Sequence, residues 1–267
     1  MKDRIGVIGA GIMGGAIIKS LKKSGCSNKI IATDIRPKRI EELEKLGIST
    51  TKDNLEAAAN SDIIFISVKP SDIENVMKTI KEEVDGKLVI SVAATVPLKF
   101  LQKFIPEAKI IRIMPNVAAL VQASYTAYCC GENVTSEDKE RAIKLLNLFG
   151  RCEEVKEKYM DAITALSGSG PGYLSIIIEG LMYAGLKVGL PRNIALNSAA
   201  QTVLGTGKLV LDLQMHPAKI KDMVTTPGGT TIEAIYELEG SQIRQALMNA
   251  VVEATKKSQQ IREKLKV

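Results

Sequence analysis

Up to about residue 155, short runs of β-branched and aliphatic residues alternate with amphipathic stretches dotted with charge. The apolar runs cover residues 4–8, 29–33, 62–68, 87–92, 109–114 and 124–130, and the helical pattern covers 13–23, 38–46, 71–84 and 136–149. The last helical stretch opens Thr135-Ser136-Glu137-Asp138, a hydroxyl cap followed by acids in the first turn. Strands and helices alternating at this spacing predict a largely parallel sheet with helices on both faces.

The pattern then changes. From Ala162 to Ala218 only Glu179, Lys187, Arg192, Lys208 and Asp212 carry charge, and Ala, Leu and Ile dominate with Gly and Pro at intervals. Such helices have little polar face, and a helix that is apolar nearly all round has to be covered. The remaining chain is too short to bury several of them, so a large subunit interface is expected, with one thick monomeric bundle as the alternative. Residues 241–267 read as an amphipathic helix that becomes basic and solvated. No internal repeat or low-complexity linker is present.

Composition narrows the function classes. The chain has 267 residues, 45% hydrophobic and 25% charged, the profile of a soluble globular protein and not of a disordered one. With no Trp, six Tyr and four Phe, the core is aliphatic and stacking platforms for single-stranded nucleic acid are not expected. The net charge of +6 is spread without a basic tail, which suits small anionic ligands and not nucleic acid. Cys26, Cys129, Cys130 and Cys152 show no CxxC spacing, and the single histidine, His216, sits between Met and Pro. No metal site and no Ser-His-Asp hydrolase are therefore expected. The opening MKDRIGVIGAG is interrupted by Gly9 and Gly11 and does not read as a signal peptide. The longest charge-free stretch, 113–131, holds Pro115, Asn116 and Gln122, so it reads as a loop and a buried strand, not as a membrane span. A cytoplasmic protein with reduced thiols is the expectation.

Four stretches carry candidate chemistry. Gly9-Ala10-Gly11-Ile12-Met13-Gly14 is a GxGxxG between a strand and a helix: the first glycine permits the turn, the second admits a pyrophosphate and the third lets helix pack on strand. A second strand ends at Asp34, which would accept bonds from a ribose 2′-hydroxyl and so favours NAD. Arg36, Lys38 and Arg39 offer three cations to a 2′-phosphate and favour NADP. NADPH is the preferred donor on this reading, with NADH accepted. Ser67-Val68-Lys69-Pro70 follows a strand and should border the nicotinamide half, and Arg112-Ile113-Met114-Pro115-Asn116 should reach the same crevice. The third stretch, 165–173, alternates glycine with small polar residues and either approaches a ligand or serves as a hinge. In the fourth, Thr225-Thr226-Pro227-Gly228-Gly229-Thr230-Thr231, a turn feeding a helix presents N–H groups and hydroxyls together, a small-carboxylate site, or else a set of threonine helix caps.

The fold class expected is thus α/β: an N-terminal Rossmann-type dinucleotide-binding domain with a mostly parallel sheet over 1–160, followed by an all-α C-terminal domain for dimerisation and substrate binding over 161–267. The stretches 9–14, 68–70, 114–116, 166–173 and above all 217–239 together resemble the pyrroline-5-carboxylate reductases. The resemblance implies reduction of 1-pyrroline-5-carboxylate to L-proline, an interlocked homodimer, and in many members assembly into decamers. It implies cofactor contacts at Gly9, Gly11, Ile12 and Met13, and at Asn54, Val68, Lys69, Pro70, Ala93 and Ala94; the glycine-loop reading adds Ile8, Ala10 and Gly14, and the end of the second strand adds Asp34 and Arg36. Substrate contacts are implied at Gly229, Thr230 and Thr231, with Thr231 in the catalytic role at the ring nitrogen, and the turn itself adds Gly228. Gln214 stands where some relatives carry Glu, and Asp34 where NADP-preferring relatives often carry a small hydroxyl residue.

Reduction of a cyclic imine needs a hydride donor, a grip on the carboxylate and a donor near nitrogen, which fits a chain with one histidine and no carboxylate dyad. Two other readings compete. A β-hydroxyacid dehydrogenase shares the glycine loop and a helical second half but usually places a Lys soon after a second glycine stretch, and here none follows until Lys187. A non-catalytic NADP-binding sensor would not need the Gly-Gly-Thr-Thr turn.

Overall fold

The computed structural model describes residues 3–25 and 29–265; Cys26 and the last two residues of the C-terminal helix pattern lie outside the described residues. Eight strands form one sheet: β1 (Ile5–Ile8), β2 (Ile30–Thr33), β3 (Ser49–Thr51), β4 (Ile63–Ile66), β5 (Leu88–Ser91), β6 (Lys109–Met114), β7 (Ser124–Cys130) and β8 (Gly150–Glu154). Their order is β3-β2-β1-β4-β5-β6-β7-β8. The first six run parallel, β7 is antiparallel to β6, and β8 is parallel to β7. The strand order reverses between β1 and β4, which opens a ligand crevice at their carboxyl ends.

Strands β1 and β4 at the centre of the sheet are apolar but for Gly6, because both faces are covered. Ile63, Phe65, Leu88 and Ile90 face one core, shared with α1 (Ile12–Lys23) and α6 (Ser136–Leu146). Ile64, Ile66 and Val89 face the other, shared with α4 (Ile73–Ile80) and α5 (Leu98–Phe104). Alternation by two thus appears as two cores, not as inside and outside. The hydroxyl cap of α6 forms as its sequence implies: Thr135 accepts from the Asp138 N–H and the Asp138 carboxylate accepts from that of Thr135.

Short elements carried no apolar run. β3 and β8 lie on the two edges of the sheet, where one side needs no cover, and their residues are mostly half-buried or exposed. Helices α3 (Asn54–Ala59) and α5 are six and seven residues long, too short to show a helical period.

The chain divides into two compact units. One holds residues 3–169 with 252–265, and the other is Gly170–Val251. The first compact unit runs on to Ser169 and also takes in the end of the C-terminal helix. The reason is a buried carboxylate. Asp161, on α7 (Met160–Ile163), accepts from Ser258 Oγ at 2.8 Å and pairs with Arg262 at 2.8 Å. Ser258 and Arg262 lie on α12 (Ile243–Glu263), so one face of its C-terminal part is anchored, while Glu253, Lys256, Lys257 and Glu263 stay exposed as an amphipathic, solvated helix requires.

The second unit consists of α8 (Gly170–Lys187), α9 (Arg192–Asp212), α10 (Pro217–Met223), α11 (Thr230–Glu239) and the beginning of α12. Within it α8 buries only Met182 and α9 only Ala195 and Ala199. Ile176, Leu181, Tyr183, Leu204 and Leu211 all stand exposed in the single chain. No helix among the described residues is long and apolar enough to cross a membrane.

Candidate active site

The glycine loop follows β1 at the crevice. Gly9 has φ +89°, and a Cβ there would meet the Ser67 carbonyl oxygen at 2.7 Å; a Cβ on Gly14 would run into the carbonyl oxygen of Gly9. Both glycines are required by close backbone approach. Gly11 differs: its Cβ would meet only an Arg36 nitrogen, at 3.7 Å. Its missing side chain opens space at the start of α1, where N–H groups and the helix dipole attract phosphate. Gly11 caps α1 without any side-chain bond. The loop carries Ala10, which is buried, Ile12, which is 70% exposed at the rim, and Met13, which packs against the core. The Gly9 and Ala10 N–H groups both donate to the Thr33 carbonyl, at 3.0 Å.

The end of β2 holds an ion pair. Arg36 donates from Nε and Nη2 to the two Asp34 oxygens, each at 2.8 Å, and from its backbone N–H at 2.9 Å. The Asp34 side chain is only 4% exposed, while that of Arg36 is 58% exposed. Burial pushes the Asp34 carboxyl upward, but the bonds and charge of Arg36 outweigh it and hold the carboxyl below the usual carboxylate range. Arg39 has a different role from the one its place in the basic run implied. Its Nε donates to the Ala10 carbonyl at 3.0 Å, its Nη2 to that of Gly11 at 3.5 Å, and its Nη1 pairs with Glu42 at 2.6 Å. It braces the glycine loop, and only Arg36 and Lys38 of the three cations stay available. Asn54, the first residue of α3, accepts from Thr33 Oγ1 at 2.6 Å, which sets it beside the end of β2.

Across the crevice, the Ser67 N–H donates to the Ile8 carbonyl at 2.8 Å, so the Val68-Lys69-Pro70 turn leaves the sheet beside the glycine loop. Lys69 is exposed and starts the short 3-10 turn Pro70–Asp72. Ala93 and Ala94 follow β5, next to β4; Ala93 is buried and Ala94 half-buried. Arg112 does not stand with them. It is 4% exposed and bonded to Glu157 at 2.9 Å, in a cleft with Pro97, Lys99, Lys158 and Arg262. Asn116 instead binds the third stretch, donating to the Ser167 carbonyl at 3.1 Å. That stretch forms a wide helical turn, Thr164–Gly168, with Gly168 close against Met114.

In the second unit Gly228 takes φ +68° and Gly229 caps α11, with no side chain bonded to the first turn. Thr230 and Thr231 are the first two helical residues, so neither serves as the cap. A Cβ on Gly229 would collide with Thr226 Oγ1. Thr231 is half-buried and Thr230 exposed. The histidine is structural here: His216 Nδ1 accepts from the Ala218 N–H at 3.2 Å and caps α10. Sequence reasoning missed the bracing role of Arg39, and also Thr95, a β-branched residue with φ +69°. No signal in a single sequence separates a bracing arginine from a phosphate-binding one.

Comparison with known proteins gives a consistent result. A family model described as pyrroline-5-carboxylate reductase dimerisation matches residues 157–261, and one described as NADP oxidoreductase, coenzyme F420-dependent, matches 4–95. The chain is 41% identical to a pyrroline-5-carboxylate reductase of Methanosarcina acetivorans, over 98% of this chain and 99% of the relative. It is 39% identical to one of Pisum sativum, over 96% and 95%. A crystal structure of the Plasmodium falciparum pyrroline carboxylate reductase with NADP bound superposes with a TM-score of 0.89, at 32% identity and 98% coverage of both chains.

Proposed function

The chain belongs to the pyrroline-5-carboxylate reductase family, and we propose how its residues divide the work of that reaction. It is an NAD(P)H-dependent oxidoreductase that reduces 1-pyrroline-5-carboxylate to L-proline in proline biosynthesis. When bound, the dinucleotide supplies the hydride that reduces the imine carbon. The open space at Gly11, together with the unbonded first turn of α1, fits the pyrophosphate of such a cofactor. Ile8, Gly9, Ala10, Gly11, Ile12, Met13 and Gly14 form its phosphate loop on this reading. Asn54 and Asp34 reach the adenosine ribose, and Val68, Lys69, Pro70, Ala93 and Ala94 flank the nicotinamide end.

NADPH is the preferred cofactor, with NADH accepted. The support is the geometry of the Asp34–Arg36 pair. Two nitrogens of Arg36 neutralise Asp34, and Nη1, which makes no bond among the described residues, together with Lys38 serves a 2′-phosphate. With NADH, the ionised Asp34 accepts from the free ribose hydroxyl.

The observation that carries the substrate reading is the start of α11, capped by glycine and not by a side chain. The Gly229 N–H already donates to the Thr226 carbonyl at 3.0 Å, so the N–H groups from Thr230 onward hold the carboxylate after the Gly228 turn, and the dipole favours the anion. Thr231 Oγ1 donates to the ring nitrogen and steadies the imine. These residues position the substrate, and no side-chain nucleophile is needed. The exposed faces of α8 and α9 support a homodimer built from the second unit; decamer assembly rests on the family resemblance alone. The free thiols Cys129, Cys130 and Cys152 support a cytoplasmic protein, and burial pushes the Cys129 thiol up to about 12.

The test is nicotinamide absorbance with the purified protein. Oxidation of NADPH and of NADH by pyrroline-5-carboxylate, with no reduction of NADP⁺ by 3-hydroxyisobutyrate, is expected. Turnover of the hydroxyacid but not the imine would overturn the reading.

A further inference from the structure

Thr95 lies in the loop between β5 and α5, and three features set it apart. Its φ of +69° puts a β-branched side chain in the left-handed region, which such residues rarely enter. The residue is only 4% exposed. Among the described residues, its Oγ1 is the buried side-chain oxygen or nitrogen that finds no hydrogen-bond partner. Left-handed backbone and an orphaned hydroxyl each cost free energy, and here they fall on one residue.

The surroundings show why the conformation persists. Val92 still donates to the Ile66 carbonyl at 2.9 Å, so the loop leaves the sheet beside the Ser67–Pro70 turn. Ala93 and Val96 are both buried, and the Val96 N–H closes a turn onto the Ala93 carbonyl at 3.4 Å. Ala94 and Thr95 are the two central residues of that turn. A left-handed second central residue is the position where glycine is the ordinary occupant. Anchors on both sides therefore hold Thr95 in a shape its own side chain resists.

We propose that Thr95 is a positioning residue that couples the loop 92–97 to occupancy of the dinucleotide crevice, its hydroxyl acquiring a hydrogen-bond partner only when the crevice is filled. This rests on the reading that the crevice at β1 and β4 takes a dinucleotide. The bond that the hydroxyl gains on filling forms part of the cofactor affinity. A residue that only fills space would pay the same cost in both states and leave affinity unchanged.

The experiment measures NADPH dissociation constants by cofactor fluorescence, and melting temperatures with and without NADPH, for the wild type, Thr95→Val and Thr95→Ser. Val keeps the branched shape and removes the hydroxyl. It is expected to raise the melting temperature of the cofactor-free protein, because the orphaned group is gone. It is also expected to weaken NADPH about threefold to tenfold, because the bond gained on binding is lost. Ser keeps the hydroxyl and should bind within about twofold of wild type. A Val variant with unchanged affinity, or a Ser variant weakened as much as Val, overturns the coupling. Failure of the wild type to bind NADPH would instead overturn the crevice reading on which it rests. Thr95→Gly guards against a misfolded Val variant: it removes hydroxyl and strain together, so it should be more stable when empty and at least as weak for NADPH. A Gly variant that binds as tightly as wild type also sinks the proposal.

Discussion

The first unit buries most of its apolar residues in two cores around the sheet, and the second buries few of its own. In the sheet, Ile63 to Ile66 are all buried, facing two cores in alternation. In α8 and α9, thirty-nine residues of helix by their spans (18 and 21), only Met182, Ala195 and Ala199 are buried. The exposed Ile176, Leu181 and Leu204 would cost little if scattered singly, but here they lie on two helices with hardly a charge between them. Two ways of meeting the same hydrophobic demand are at work: one unit folds around its apolar residues, and the other leaves them for a second chain. The match of residues 157–261 to a dimerisation family agrees with that division.

The largest expected effect comes from attacking the uncovered helices. Leu181→Asp places a charge where a partner surface should exclude water, a burial without compensation. The oligomer seen by light scattering should dissociate or aggregate, and specific activity should fall below a tenth of wild type. An Asp variant that keeps its assembly state would show that this face of α8 stays in solvent.

The second unit also has to do chemistry, and Thr231 tests this. Thr231→Val keeps the shape and removes the hydroxyl, so kcat/KM should fall about 10–100-fold, roughly 1.4–2.8 kcal/mol, with NADPH binding intact. Thr231→Ser should retain most activity. Since Gly229 caps α11, a purely structural role predicts little change in melting temperature and none in turnover. Near-normal turnover in the Val variant would remove Thr231 from the reaction.

In the first unit, Arg36→Ala separates the cofactors. Arg36 is 58% exposed, so solvent screens the lost bond and the effect should sit low in the charge-assisted range, roughly 1–1.5 kcal/mol. The KM for NADPH should rise about fivefold to tenfold, and that for NADH should change little. Equal losses for both would place the 2′-phosphate elsewhere.

The smallest effect is on pH dependence. Arg36 holds the Asp34 carboxyl below its ordinary range, so the pair's stabilisation is fully present above the unfolded value. It is lost as pH falls through the lower folded value. The melting-temperature gap between wild type and Asp34→Asn should hold constant over roughly pH 5–8 and close below about pH 4. A gap that widens toward acid would contradict the pairing.

Much of this was legible residue by residue. The buried strands announced themselves because a strand covered on both faces is built mainly of apolar residues, Arg112 on β6 being buried only with Glu157 as its partner. Gly9, Gly11 and Gly14 announced the crevice because only glycine tolerates the required approach of backbone to backbone or to phosphate. The charge-poor helices announced a missing partner because five charges between Ala162 and Ala218 cannot solvate them. These readings depend on local periodicity and on the stereochemistry of single residues, which the order of amino acids carries by itself. Where Arg39 points, which carboxylate gathers α12 into the first unit, and that Thr95 sits left-handed with an unmet hydroxyl were settled only by the folded chain. Each depends on groups far apart in sequence meeting in space: Arg39 with Ala10, Ser258 with Asp161, the Thr95 turn with the strand that carries Ile66. Burial and the partners available to a polar atom are properties of the packed arrangement, and a linear pattern does not specify them.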